Sequence, residues 1–163
     1  MNFAGIGFDV HRFASGRKLF LGGCEIPYEK GLKGHSDADV LCHAIMDALL
    51  GAAATGDIGL HFPDSDEKWK NASSVELLKR VVSIIMKKGF KPVNVDSTVL
   101  AEAPKLKNYI PAMRQKLAEA VGVSIERISV KATTMEGMGA VGRKEGIAAM
   151  AVVTIRSAGR KRG

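Results

Sequence analysis

Cysteine is scarce. Cys24 and Cys42 are the two in 163 residues, too few for a disulfide scaffold and not spaced as a CxxC metal or redox unit. Both read as small buried apolar residues. No run of about 20 apolar residues occurs, so no membrane-spanning helix is expected. Met1 to Gly5 lacks the basic and apolar regions of a secretory signal, and a cytoplasmic protein is the expectation. Aromatic residues make up 6%, which leaves little surface for stacking on single-stranded nucleic acid. Nucleotide-binding signatures are missing too. Gly5-x-Gly7 runs on to Asp9 without completing a dinucleotide fingerprint. The glycines from Gly137 to Gly146, with Arg143-Lys144, lack GxxxxGK[ST] and lead into a strand. No Ser–His–Asp or Cys–His pairing stands out, so a nucleophile supplied by the protein is the less favoured route.

What is present suits one domain: 46% of the residues are apolar and 25% charged, over a length typical of a single core. Lys and Arg number 24 against 17 Asp and Glu, a net +7 that points to an anionic partner, nucleic acid or a phosphorylated metabolite. That charge is unevenly placed. Residues 31–67 hold seven acids (Asp37, Asp39, Asp47, Asp57, Asp64, Asp66 and Glu67) against Lys33 alone. Arg156, Arg160, Lys161 and Arg162 close the chain with no acid among its last eight residues. Residues 1–156 read as the domain and 157–163 as a basic, disordered tail. A small basic nucleic-acid-binding module is the alternative function. It requires salt-sensitive binding that deletion of 157–163 abolishes, and the acidic stretch 31–67 stands against it.

Periodicity gives a coarse map. Residues 3–10 read as a strand, and 18–21 with 24–26 around Gly22-Gly23 as a hairpin. A helix is expected from near Asp37, with Ser36 as its cap and Leu41, Ala44, Ile45, Ala48, Leu49 and Ala52 on its apolar face. Residues 56–72 read as a long ordered loop. Ser73-x-x-Glu76 has the form of a capping box opening a helix that runs to Gly89. Val93 to Val99 alternates like a strand, residues 101–105 break it, and a third helix is expected from Pro111 to Gly122. Two more strands, 129–134 and 146–155, flank a glycine-rich loop. The expected fold class is α+β, a two-layer α/β sandwich. Its mixed sheet has about four main strands, with helices on one face and a small hairpin. The other sheet face then needs a cover, and copies of the same chain can supply it.

Asp9-x-His11 sits on a strand, where side chains two apart share a side and can reach one ion. His43 lies in a helix, one turn from both Asp39 and Asp47, either of which could orient its second ring N–H or simply solvate the helix. One carboxylate and two imidazoles leave an open position on zinc for an exogenous oxygen. His35-Ser36 at a helix start offers amides to an anion. Asp57-Ile58-Gly59 and Phe62-Pro63-Asp64-Ser65-Asp66 offer carboxylates and amides suited to polyol hydroxyls, or to turns of their own. Thr133, Thr134 and Glu136 place hydroxyls and a carboxylate at a strand end; phosphates beside Glu136 require a second divalent cation between them.

Five ordered motifs together resemble the 2-C-methyl-D-erythritol 2,4-cyclodiphosphate synthase family, over roughly residues 3–156. They are Gly5-Ile6-Gly7-Phe8-Asp9-Val10-His11; His35-Ser36-Asp37-Ala38-Asp39-Val40 with His43 and Asp47-Ala48-Leu49-Leu50-Gly51; Gly56-Asp57-Ile58-Gly59 with Phe62-Pro63-Asp64; Lys131-Ala132-Thr133-Thr134-x-Glu136; and Gly142-Arg143-x-Glu145-Gly146. The resemblance implies zinc on Asp9, His11 and His43, and Mg²⁺ or Mn²⁺ at Glu136. It implies closure of a cytidine diphosphate-linked methylerythritol phosphate into a cyclic diphosphate, with loss of CMP, in non-mevalonate isoprenoid synthesis. His35 and Thr134 would stabilise the transition state and Ser36 the substrate loop. Residues Asp57 to Gly59 and Phe62 to Asp66 would meet the polyol. Ala101, Glu102, Ala103, Pro104, Lys105, Leu106 and Lys107 would frame the cytidine and its phosphate, and Thr133, Met135 and Glu136 the phosphate bridge. A homotrimer with sites between subunits is implied, with neither nucleic acid nor membrane as partner. Arg143 would lie near its central channel, where Ala140 replaces the aromatic residue common in relatives.

Overall fold

The computed structural model describes residues 1–158, so the expected basic tail lies outside the described residues from 159 onward. Strand β1 (Asn2–Ala14) is followed by the short strands β2 (Leu19–Leu21), β3 (Cys24–Ile26) and β4 (Gly31–Leu32). Helix α1 (Val40–Ala52), the four-residue turn α2 (Ile58–His61) and helix α3 (Ser74–Lys87) come next. Then follow β5 (Phe90–Leu100), α4 (Ile110–Val121), β6 (Ile128–Thr133), the turn α5 (Gly139–Gly142) and β7 (Gly146–Ser157). The main sheet has the order β4-β1-β7-β5-β6, antiparallel except for the β5–β6 pair, and β2 and β3 form a separate hairpin. The α+β class, the mixed sheet with four long strands and the hairpin are as expected. Among the described residues no helix is long and apolar enough to cross a membrane.

The elements are longer than their periodic cores. β1 reaches Ala14, and β7 continues through Ser157, whose N–H donates to Met1 O at 3.0 Å. The loop expected at 56–72 contains α2 and a 3₁₀ turn, Glu67–Trp69. These are single turns, too short for any periodicity to reveal.

The expected cap of α1 is corrected, and that of α3 holds by position, Ser73 O accepting Leu77 N–H at 3.1 Å, but without the side-chain bond of a capping box. Helix α1 starts at Val40 with Asp39 as its cap, because the Asp39 carboxylate takes the Cys42 N–H at 3.1 Å while holding Gly22 N–H at 2.9 Å and Gly23 N–H at 2.6 Å. Ser36, the expected cap, lies outside the helix. Ser73 makes no side-chain bond at the start of α3. There Asp37 reaches across and accepts the Ser74 N–H at 3.0 Å. Gly122, left-handed at φ 78°, ends α4 as expected.

Helix α1 is apolar nearly all round, as a helix enclosed on every side must be. It packs on β1 and β7, with α3 beside it and α4 beside α3 and β6, so the helices cover one sheet face. Odd residues of β1 face α1, and the approach is close enough to require glycine. A Cβ on Gly7 would lie 1.9 Å from Ala44 O, and one on Gly5 would lie 2.1 Å from Ala48 O. Even residues face away. There Ile6, Phe8 and Val10 of β1 and Met150 and Val152 of β7 remain 41–66% exposed, with Ile6 opposite Val152 and Phe8 opposite Met150. Contiguous apolar surface of this kind marks an interaction face.

Candidate metal centre and flanking pockets

Asp9 and His11 project from β1 toward α1, where His43 sits one turn past the Asp39 cap. His11 Nε2 lies 2.8 Å from Asp9 Oδ2, His43 Nδ1 lies 3.0 Å from the same oxygen, and the two ring nitrogens are 3.2 Å apart. These three are the cluster of metal-ligating side chains found among the described residues. The opposite edges of both rings are engaged elsewhere. His11 Nδ1–H donates to Lys33 O at 2.7 Å. His43 Nε2 faces Ser74 Oγ at 3.0 Å and Ser36 Oγ at 3.2 Å. With ring protons on those outer edges, three lone pairs converge on one point, and only a cation can relieve that. Four-coordinate zinc with bonds near 2.05 Å sets its ligands about 3.3 Å apart, so the triangle suits it with slight relaxation. Burial alone would raise the Asp9 carboxyl, but hydrogen bonds and charge from both histidines outweigh it and hold Asp9 well below the usual carboxylate range. For His11, burial opposes protonation; the Asp9 carboxylate prevails and raises its pKa from 6.5. Both shifts express the same demand for positive charge at the centre.

Of the two roles open to Asp39 and Asp47, neither aspartate orients His43, and Asp39 does not solvate the helix face either. Asp39 is fully buried under the β2–β3 turn, where burial and the neighbouring Asp37 charge raise its pKa against the pull of its amide bonds. Asp47 accepts Ile58 N–H at 2.8 Å and so anchors α2. Serines do the orienting. The anion site expected from the amides at His35-Ser36 is also corrected, since these residues precede α1 and the Asp39 carboxylate already occupies its first turn.

The centre opens into a cavity of about 400 Å³. His35, Ser36, Ile58, Gly59, Phe62, Pro63 and Asp64 line it, as the motifs suggested; Gly34, Met46, Trp69 and Leu77 complete the wall. His35 is pinned there by Asn71 N–H donating to its carbonyl at 2.8 Å and by its Nε2–H to Asp66 O at 3.3 Å. Asp57 caps α2 through Leu60 N–H at 2.9 Å, and Asp57, Ser65 and Asp66 are outside the lining. The sequence reading missed the apolar wall. Trp69, the one tryptophan, stacks edge-on against Phe62 at 5.0 Å.

A second cavity of about 300 Å³ lies between the β5–α4 segment and the end of β6. Ala101, Glu102, Pro104, Lys105, Leu106, Lys107, Thr133 and Thr134 line it, without Ala103. Glu102 Oε1 accepts Met135 N–H at 2.8 Å and Gly137 N–H at 3.2 Å, tying down the following loop. Glu136, left-handed at φ 51°, takes the Thr134 hydroxyl proton at 2.9 Å. Met135, Glu136 and Arg143 line neither cavity, and Arg143 pairs instead with Glu145 at 2.8 Å. The two cavities share no lining residue: His35 lines the first and Thr134 the second.

Fold and site together define a class: an α+β protein whose mixed sheet presents an Asp/His/His cluster able to hold a metal ion, at the base of a cavity of about 400 Å³. The chain belongs to the YgbB family, whose model matches residues 3–156. It is 58% identical over 151 residues to 2-C-methyl-D-erythritol 2,4-cyclodiphosphate synthase of Symbiobacterium thermophilum, covering 93% of this chain and 96% of that one. To the synthase of the same name from Salinibacter ruber it is 57% identical over 154 residues, 94% and 98% of the two chains. Among solved structures it superposes on the bifunctional IspDF of Campylobacter jejuni with a TM-score of 0.93 and 47% identity, covering 96% of this chain and 42% of that longer one. The IspF–CDP complex of Plasmodium falciparum matches with a TM-score of 0.84 and 30% identity over 97% of each chain.

Proposed function

We propose that the chain closes 4-diphosphocytidyl-2-C-methyl-D-erythritol 2-phosphate into 2-C-methyl-D-erythritol 2,4-cyclodiphosphate with release of CMP, acting as a phosphorus–oxygen lyase in non-mevalonate isoprenoid synthesis. The observation that carries this reading is the convergence of three lone pairs from Asp9, His11 and His43 beside a cavity of about 400 Å³. Zinc bound there, with Mg²⁺ or Mn²⁺ at Glu136, would supply positive charge to a diphosphate and polarise it toward attack. The nucleophile is the substrate's own 2-phosphate oxygen. Its bond to the β-phosphorus forms as the bond from that phosphorus to the α–β bridging oxygen breaks, and CMP departs with the electron pair. Folding the substrate back on itself makes the attack unimolecular, so most of the chain's task is holding the two phosphates together.

The residues divide that task. Asp57, Ile58, Gly59 and the segment Phe62 to Asp66 hold the polyol, and Ser36 steadies the loop above it. The segment Ala101 to Lys107 holds the cytidine, with Lys105 offsetting phosphate charge. Thr133, Thr134, Met135 and Glu136 meet the phosphate bridge. His35 and Thr134 donate to oxygens that gain charge in the transition state, and Arg143 faces a central channel. We further propose a cytoplasmic homotrimer. The uncovered apolar face of β1 and β7 supports it, and so does the separation of His35 from Thr134, since a neighbouring subunit can bring the second cavity to the first. The test is to incubate the metal-replete protein with the diphosphocytidyl substrate and follow CMP and cyclodiphosphate by phosphorus NMR, with the assembly mass read by light scattering. Absence of conversion refutes the activity; a monomer mass refutes the shared site.

A further inference from the structure

The Ser74 hydroxyl has one proton and two partners, the Asp37 carboxylate and His43 Nε2. A carboxylate only accepts, so the proton goes to Asp37 Oδ1. Ser74 Oγ then meets the imidazole as an acceptor, at 3.0 Å, and Nε2 must carry the ring proton. Nδ1 is left with its lone pair toward Asp9 and His11. Asp37 is held on both oxygens: Oδ2 by the Ser74 N–H at 3.0 Å, and Oδ1 also by the Asp39 N–H at 3.2 Å. Its own N–H is fixed to Ala72 O at 3.1 Å. Ser74 is fully buried, so no water competes for its hydroxyl. The other hydroxyl at Nε2 behaves differently. Ser36 Oγ accepts Ala38 N–H at 3.1 Å and keeps a proton that it can turn toward Nε2. Ser36 alone therefore permits either tautomer of His43.

We propose that Asp37 and Ser74 are positioning residues, a carboxylate–hydroxyl relay that fixes the ring proton of His43 on Nε2 and so creates the third donor of the metal centre. The relay rests on the metal-centre reading but acts before any metal arrives. Without it, the Ser36 hydroxyl donates to Nε2, the ring proton moves to Nδ1, and the donor is closed. Partners of metal-bound histidines typically contribute 10- to 100-fold in affinity.

Two measurements test the relay, neither of them turnover. Nitrogen-15 histidine NMR of the metal-free wild type should show His43 protonated on Nε2 and bare on Nδ1; the reverse assignment overturns the relay without any variant. Zinc affinity, by chelator competition, should fall about 10- to 100-fold in Ser74→Ala, and Ser74→Thr, which keeps the hydroxyl, should recover most of it. Ser74→Ala retains the main-chain N–H that Asp37 caps, so a purely structural role for Asp37 predicts zinc affinity within about threefold of wild type, and that result overturns the relay. Failure of the wild type to take up zinc overturns the metal centre itself and is thereby distinct from failure of the relay.

Discussion

The two cavities are built on opposite principles. Around the first, the donors arrive from a long strand or a buried helix, and both histidines are braced from behind: His11 by Lys33 O, and His43 by Ser74 and Ser36. Around the second, the polar groups Lys105, Lys107, Thr133 and Thr134 are exposed, and the segment is braced by Glu102 holding two amides and by Ala101 N–H donating to Thr133 O at 3.0 Å. The first can bind a metal within a single chain. The second is a cavity lined by the segment after β5 and the end of β6. Rigid placement goes with the chemistry that needs geometry, and open placement with the part of a ligand that must enter and leave.

Breaking the first cavity at its centre has the largest expected effect. His43→Ala should abolish bound zinc, measured by elemental analysis, and cut turnover on the order of a thousandfold, several kcal/mol of barrier. Circular dichroism and assembly mass should be unchanged. Next comes the strand–helix contact. Gly7→Ala places a Cβ 1.9 Å from Ala44 O, so β1 and α1 must separate. Overpacking of this kind costs about 1–3 kcal/mol in a urea melt, with a matching loss of zinc affinity. The second cavity should fail separately: Glu102→Ala removes the oxygen that accepts the Met135 and Gly137 N–H groups, frees the loop after Thr134, and should raise KM for the cytidylyl substrate about tenfold while zinc content stays whole. A fall in zinc content would show that the cavities are coupled. The smallest effect is that of pH. The raised pKa of His11 means protons compete with metal even above pH 6.5, so zinc should raise the melting temperature less at about pH 6 than at about pH 8. In the metal-free protein the sign reverses. The His11–Asp9 pair stabilises fully below 6.5, and that share is lost as pH rises through the folded-state pKa of His11.

The parts legible in the sequence were those written in local periodicity. Asp9-x-His11 on a strand forces two donors to one side, and a histidine in a regular helix offers a third. The mixed sheet followed from the order of alternating and helical segments. The supports were not legible. Ser36, Asp37 and Asp39 are all good caps within four positions, and the choice of Asp39 depends on amides of Gly22 and Gly23, 17 and 16 residues away. Ser74 looked like the first residue after a capping serine. Its contact with His43 crosses 31 residues and exists only once α3 has docked. Trp69 and Met46 carry no spacing signal for a cavity wall, because that wall is assembled from separate turns.

The absent side chains at Gly5 and Gly7 have a thermodynamic consequence. Asp9 and His43 are 34 residues apart, and they meet only when β1 lies flat against α1. A metal ion bound there would therefore select one docked arrangement from the ensemble and deepen its well by mass action. Any substitution along that seam, however far from the donors, changes the population able to bind. On the proposed metal centre, zinc affinity would gauge folding at this seam in the native protein, without denaturant.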